Sequence, residues 1–140
     1  MSLFAVIREA GPAWQAGGIF QQPSVTEHAA FMNTLADQRF VLFGGPLAGT
    51  EEGHVRVLLI VDADSEAAIH RRIADDPWAA TGRLRTVSIE AWKILVGAER
   101  LSSLHDVQPT GATRDHVPEA GARPASDSSR STTVSRASRP

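Results

Sequence analysis

The chain has 140 residues, 42% of them hydrophobic, with a net charge of -2 and no cysteine. That is one domain's worth of chain with apolar material for a core, and it excludes a disulfide framework, a thiolate nucleophile and a thiolate metal site. The charge is too small to announce nucleic acid or a membrane as partner. No apolar run approaches the ~18 residues of a membrane span, and the N-terminus lacks the basic lead-in of a signal peptide, so a cytoplasmic protein is expected.

Leu3–Arg8 is short, mostly apolar and followed by the breaker Gly11-Pro12, which reads as a buried strand. A long loop then runs to Pro23 and carries Trp14 and Phe20. Ser24-Val25-Thr26-Glu27 has the spacing of a capping box, so a helix begins there. Its inward stripe at helical period is Val25, His28, Ala29, Met32, Leu35 and Ala36, with Phe31 flanking and Asn33 and Asp37 facing water. His28 stands where an apolar residue belongs, and a buried titratable ring needs a partner.

Phe40–Phe43 reads as a second strand, ended by Gly44-Gly45-Pro46. Val55–Val61 is a third, apolar on both faces and therefore covered twice. Asp64 or Ser65 caps a second helix, with Ile69 and Ile73 inward and Pro77 setting its stop. Counting on along that inward face reaches Asp76, so Asp76 ends this helix on the side where His28 sits. Leu84–Val96 reads as the last strand, with a bulge near Glu90-Ala91 where its apolar phase changes.

The order is βαββαβ. Right-handed crossovers then place both helices on one face of a four-stranded antiparallel sheet, an α+β ferredoxin-like arrangement. The other sheet face is left bare and apolar, which predicts a homodimer packed sheet to sheet. Periodic apolar content stops near Gly97, so residues 1–97 form the domain. Residues 98–140, rich in Ser, Pro and Arg, read as a disordered tail, with a short helix allowed around Glu99–His105.

The segments Glu27-His28-Ala29-Ala30-Phe31-Met32, Gly44-Gly45-Pro46-Leu47 and Ala74-Asp75-Asp76-Pro77-Trp78, in that order, resemble the YciI-like (YCII-related) family over about residues 3–97. The resemblance implies a ferredoxin-like domain that pairs as a dimeric α/β barrel, with a histidine/aspartate centre at His28 and Asp76 and a pocket wall shaped by Gly45 and Pro46. It implies no cofactor. The activity known among relatives is dehydrochlorination of a chlorinated hydroxyhydroquinone, and muconolactone-isomerase-like proteins share the wider fold. The Gly11–Pro23 loop is longer than in shorter relatives, and its Trp14 and Phe20 are expected to line or cover the pocket.

A carboxylate bonded to imidazole fixes the ring's tautomer and suits it to general base work. The expected function is a small-molecule enzyme, a lyase or isomerase, in which the His28/Asp76 pair drives elimination or isomerisation of a ring or enol substrate. Arg8 is a candidate to hold a substrate carboxylate or phenolate through its planar fork, and equally a strand-end cation that reaches solvent. Trp78 and Trp92 read as core or dimer anchors. His54, His70, His105 and His116 complete no metal-ligand spacing with His28, so no metal is expected. The alternatives are a satisfied core histidine beside a helix-end carboxylate, a non-catalytic small-ligand or accessory dimeric module using the same pocket, and an interaction protein working through the arginine-rich tail.

Overall fold

The strands form one antiparallel sheet in the order β2-β3-β1-β4, where β1 is Leu3–Ala10, β2 Val41–Pro46, β3 Arg56–Asp62 and β4 Leu84–Ala91. Among the described residues the connections carry three α-helices, α1 at Val25–Asp37, α2 at Glu66–Ile73 and α3 at Pro77–Ala80, and two short 3-10 turns. The structure, a computed structural model, describes residues 1–101; the tail expected over 98–140 lies outside it beyond residue 101. Residues 98–101 are helical, and the rest of the short helix allowed up to His105 lies outside the described residues.

The expected βαββαβ frame is present, and it is the ferredoxin-like α+β arrangement. Alternation along the strands explains why. Val6, Leu59 and Val61 point to one face of the sheet, where they pack with Val41, Leu35 of α1 and Ile69 and Ile73 of α2 in one buried cluster. A second cluster, Val55, Trp78 and Leu84 with Trp14, Ile19 and Val25 against it, lies toward α3 and the first loop. The opposite face carries cross-strand rows such as Phe43-Ile60-Ala5 and Leu58-Ile7. Phe43 is 51% exposed there.

Several local expectations are corrected. The helix α1 starts where expected, but there is no capping box: Ser24 sits at φ 63°, a left-handed backbone that leaves its hydroxyl without a cap hydrogen bond. Ala29 and Ala36, expected inward, are exposed, because one buried stripe of α1 is met by Leu35 alone, with Phe31 and Met32 half-buried beside it. Strand β2 does not stop at Gly44-Gly45-Pro46 but runs through them, paired with Leu59, Leu58 and Val57. This is tolerable because β2 is an edge strand, where proline has no second neighbour to deprive of a donor. At Gly44 a Cβ would lie 2.7 Å from Leu59 Cδ2, so a side chain there would make the buried Leu59 side chain shift.

Strand β4 ends at Ala91, not Val96. Its bulge lies at Val87, the residue skipped between the pairs Ile7–Ser88 and Arg8–Thr86, not at Glu90-Ala91. One extra residue there puts both Leu84 and Ile89 on the core side, while Ile89, Glu90 and Ala91 pair in regular register. Trp92, expected as an anchor, is 45% exposed in this single chain. Asp76 does not end α2, which is closed by Ala74; it caps the separate short helix α3, with Pro77 at its first position. Ser65, one of the two residues expected to cap α2, does so by accepting from the Ala68 N–H.

The first loop is ordered by main-chain anchors and one buried amide. Gly11 N donates to Arg83 O at 2.8 Å and Ala13 N to Gly82 O at 3.0 Å. Gln22, 3% exposed, accepts from Gln15 N and donates from its side chain to Gln15 O and Gly18 O, closing the loop on itself. A side chain at Gly11 would drive a Cβ into the carbonyl of Gly82, a backbone group that cannot swing aside. Gly11→Ala is therefore expected to cost about 1–3 kcal/mol in urea denaturation, the range for overpacking against fixed structure. A loss under 0.5 kcal/mol would show that the anchor yields.

Candidate active site

His28 enters the site from the second turn of α1, Asp76 from the N-cap of α3 and Arg8 from β1. Each is where it is for a local reason. Asp76 must precede Pro77, because an aspartate before an N1 proline can turn its carboxylate back onto the first helical N–H groups. It does so by accepting from Trp78 N at 3.0 Å. Arg8 points to the helical face because it alternates in step with Val6.

Two side chains 48 positions apart thereby meet. Asp76 Oδ1 lies 2.9 Å and Oδ2 3.0 Å from His28 Nδ1. Arg8 Nη1 donates to Asp76 Oδ2 at 2.8 Å. Asp76 is fully buried and Arg8 is 1% exposed, while His28 is 16% exposed. An ionised carboxylate only accepts, so the imidazole proton sits on Nδ1 and the lone pair of Nε2 is left for another group. Burial by itself would push the Asp76 carboxyl up; the hydrogen bonds from His28, the Trp78 backbone and Arg8, with the attraction of the imidazole, outweigh it and hold the carboxyl below its ordinary value.

A cavity of about 300 Å³ opens beside the histidine. Of the residues expected to shape a pocket, His28, Arg8, Trp14, Gly45 and Pro46 all line it. Asp76 does not line it; it stands behind the imidazole. Phe20, 81% exposed, is on the rim, and Met32, Val41 and Leu59 make an apolar wall. Arg8 does not reach solvent as a strand-end cation would, being 1% exposed, and one nitrogen of its fork is committed to Asp76. Its Nε and Nη2 are buried with no hydrogen-bond partner among the described residues.

Sequence reasoning missed two participants. Trp78 stacks on His28, with ring centroids 3.9 Å apart and planes 5° from parallel. Only its position two residues after Asp76 hinted at this. Glu51, from a 3-10 turn at Thr50–Glu52, also lines the cavity and accepts from Ile19 N at 3.4 Å, which ties the first loop to the far wall; its place in a Gly-bounded loop carried no signal. His54 and His70 are exposed, and among the described residues no group of three or more His, Asp or Glu side chains is placed to hold a metal ion. Among the described residues no helix is long and apolar enough to cross a membrane.

The description of the YCII-related domain matches residues 4–93. Among solved structures, the chain is similar to 5-chloro-2-hydroxyhydroquinone dehydrochlorinase from Burkholderia phenoliruptrix AC1100, in complex with 2,5-dihydroxybenzoquinone. The identity is 26%, the match covers 65% of this chain and 93% of that one, and the TM-score is 0.49. No curated protein matches the chain.

Proposed function

The chain belongs to the YCII-related domain family, and from that premise we propose that it is a cytoplasmic, homodimeric enzyme in which His28 is the general base for a small ring or enol substrate. The observation that carries this reading is the buried Asp76 carboxylate 2.9 Å from His28 Nδ1, behind a ring that faces an apolar cavity. Nε2 takes a proton from a substrate C–H or O–H, and the electrons of that bond pass into the conjugated system of the substrate. The imidazolium so formed is stabilised by Asp76, which stays ionised. The proton then returns to a different atom, giving isomerisation, or the electrons expel a leaving group, giving elimination.

Arg8 and Asp76 offset each other in charge, 2.8 Å apart. The unpaired Nε and Nη2 of Arg8 are the donors nearest to hand for the oxyanion that develops on the substrate. Trp14 and Pro46 line the ring-binding space, and Gly45 adds wall without a side chain that would fill it. The second copy covers the apolar sheet face that carries Phe43, Ile60 and Ile7, closing the pair of sheets into a barrel.

The test uses 4-nitrophenol, a ring acid that absorbs visible light only as the phenolate, at a pH where the free probe is mostly neutral. Wild-type protein is expected to bind it as the phenolate, with the proton on His28. His28→Gln is expected to lower the bound phenolate fraction at least ~10-fold, the lower bound being set by what a positioned base contributes. A bound spectrum that is the same in wild type and variant, with affinity alone changed, would leave a ligand-binding module in place of an enzyme.

A further inference from the structure

Resting on the reading of His28 as a base, we infer that Trp78 is a positioning residue for that histidine: its indole face fixes the plane of the imidazole and takes up the positive charge the ring gains with the proton. The rings are stacked, 3.9 Å between centroids and 5° from parallel. A cation over an indole face is attracted by the ring quadrupole, and indole is the strongest such partner among the side chains. The stack thus holds the imidazole plane and places an indole face against the charge the ring gains on taking a proton.

The indole is fixed from several directions. Its Nε1 donates to Pro23 O at 2.8 Å, its backbone N donates to Asp76 Oδ1 at 3.0 Å, and Trp14 meets it edge-on with centroids 5.8 Å apart and planes at 81°. Trp78 is 1% exposed. Asp76 Oδ1 therefore accepts from both rings' residues at once, from His28 Nδ1 and from the Trp78 backbone, and so sets the register of the stack. The imidazole is held by one edge and by one face, which leaves its Nε2 edge as the reacting edge.

The charged groups around His28 are Asp76 from the N-cap of α3, Arg8 from β1 behind that carboxylate, and Glu51 on the cavity wall. Arg8 and Asp76 already offset each other. The charge that arrives with the proton is met by the indole face on one side and by the substrate anion on the other.

Two measurements test the inference. A protonated imidazole stacked on an indole quenches its emission, so tryptophan fluorescence of the unliganded protein, scanned over about pH 5–8, is expected to drop on acidification in wild type and not in His28→Gln. The same profile in both proteins would overturn the inference. In the second, Trp78→Phe, which keeps an aromatic face, is expected to retain the bound 4-nitrophenolate fraction within ~2-fold, and Trp78→Leu to lower it ~5-fold. Equal losses in the two variants, or no loss in Trp78→Leu, would overturn it. Should Trp78→Leu fail to fold, the fluorescence comparison decides alone, since it leaves Trp78 in place. Failure of the general-base reading is seen separately, as an unchanged phenolate fraction in His28→Gln.

Discussion

Asp76→Asn will destabilise the protein by about 3–5 kcal/mol at neutral pH, the cost of removing one charge from a buried ion pair. Asp76 is fully buried and is the acceptor for Arg8, His28 and the Trp78 N–H. An asparagine keeps one carbonyl oxygen but leaves the Arg8 guanidinium, 1% exposed, with no counter-charge. Its NH2 also opposes a donor on His28 or Arg8, so at least one hydrogen bond is lost whichever way the amide is turned.

The pH dependence follows from the depressed carboxyl of the folded protein. A group held low in the folded state contributes stability that is fully present above its unfolded value, ~3.9, and is lost as the pH falls through the lower folded value. The stability gap between wild type and Asp76→Asn is therefore expected to narrow below about pH 4. Urea denaturation of both proteins across that range measures it. A gap under 1 kcal/mol, or one that does not narrow in acid, would show that the carboxylate is not the hub of this region.

Arg8→Met is expected to cost about 3 kcal/mol, toward the lower end of the range for a broken buried pair. Methionine fills much of the same volume and removes two donors, Nε and Nη2, that are buried without hydrogen-bond partners among the described residues. What remains is a buried carboxylate that has lost its 2.8 Å partner and its positive neighbour. The double variant Arg8→Met/Asp76→Leu is expected to be less destabilised than the sum of the single changes, because it removes both charges together. Strict additivity in thermal or urea denaturation would mean the two residues act independently.

Arg8→Lys separates stability from binding. The ammonium can meet the single Asp76 oxygen that Arg8 uses, so most of the stability is expected to survive, but a lysine cannot present the second and third nitrogens of a fork to a bound phenolate.

Much of the site was readable because each of its elements follows a one-dimensional rule. His28 broke the apolar period of a helix, and Asp76 lay seven residues, about two helical turns, beyond Ile69 and ahead of a proline. The inference from period was right about direction and wrong about the element: the Asp76 carboxylate reaches His28 from a new helix start, since α2 had already ended at Ala74. The glycines before Pro46 were misread as a stop because breaker rules are averages over sheet positions, and only knowing that β2 is an edge strand reverses them. Likewise a bulge in β4 was expected at Glu90-Ala91 and lies at Val87, since its position depends on which β1 residue each β4 residue meets.

The strand and helix order, the bare sheet face and the two residues of the pair were determined by the sequence, because periodicity, turn chemistry and burial preference are local and add along the chain. The use of Arg8 as a buried counter-ion, the stacking of Trp78 on His28 and the closing of the first loop by Gln22 were decided only by tertiary structure. Those contacts join residues 68, 50 and fewer than 8 positions apart through shared acceptors and ring faces. The energy of such a contact depends on distance and desolvation in three dimensions, and spacing along the chain carries neither.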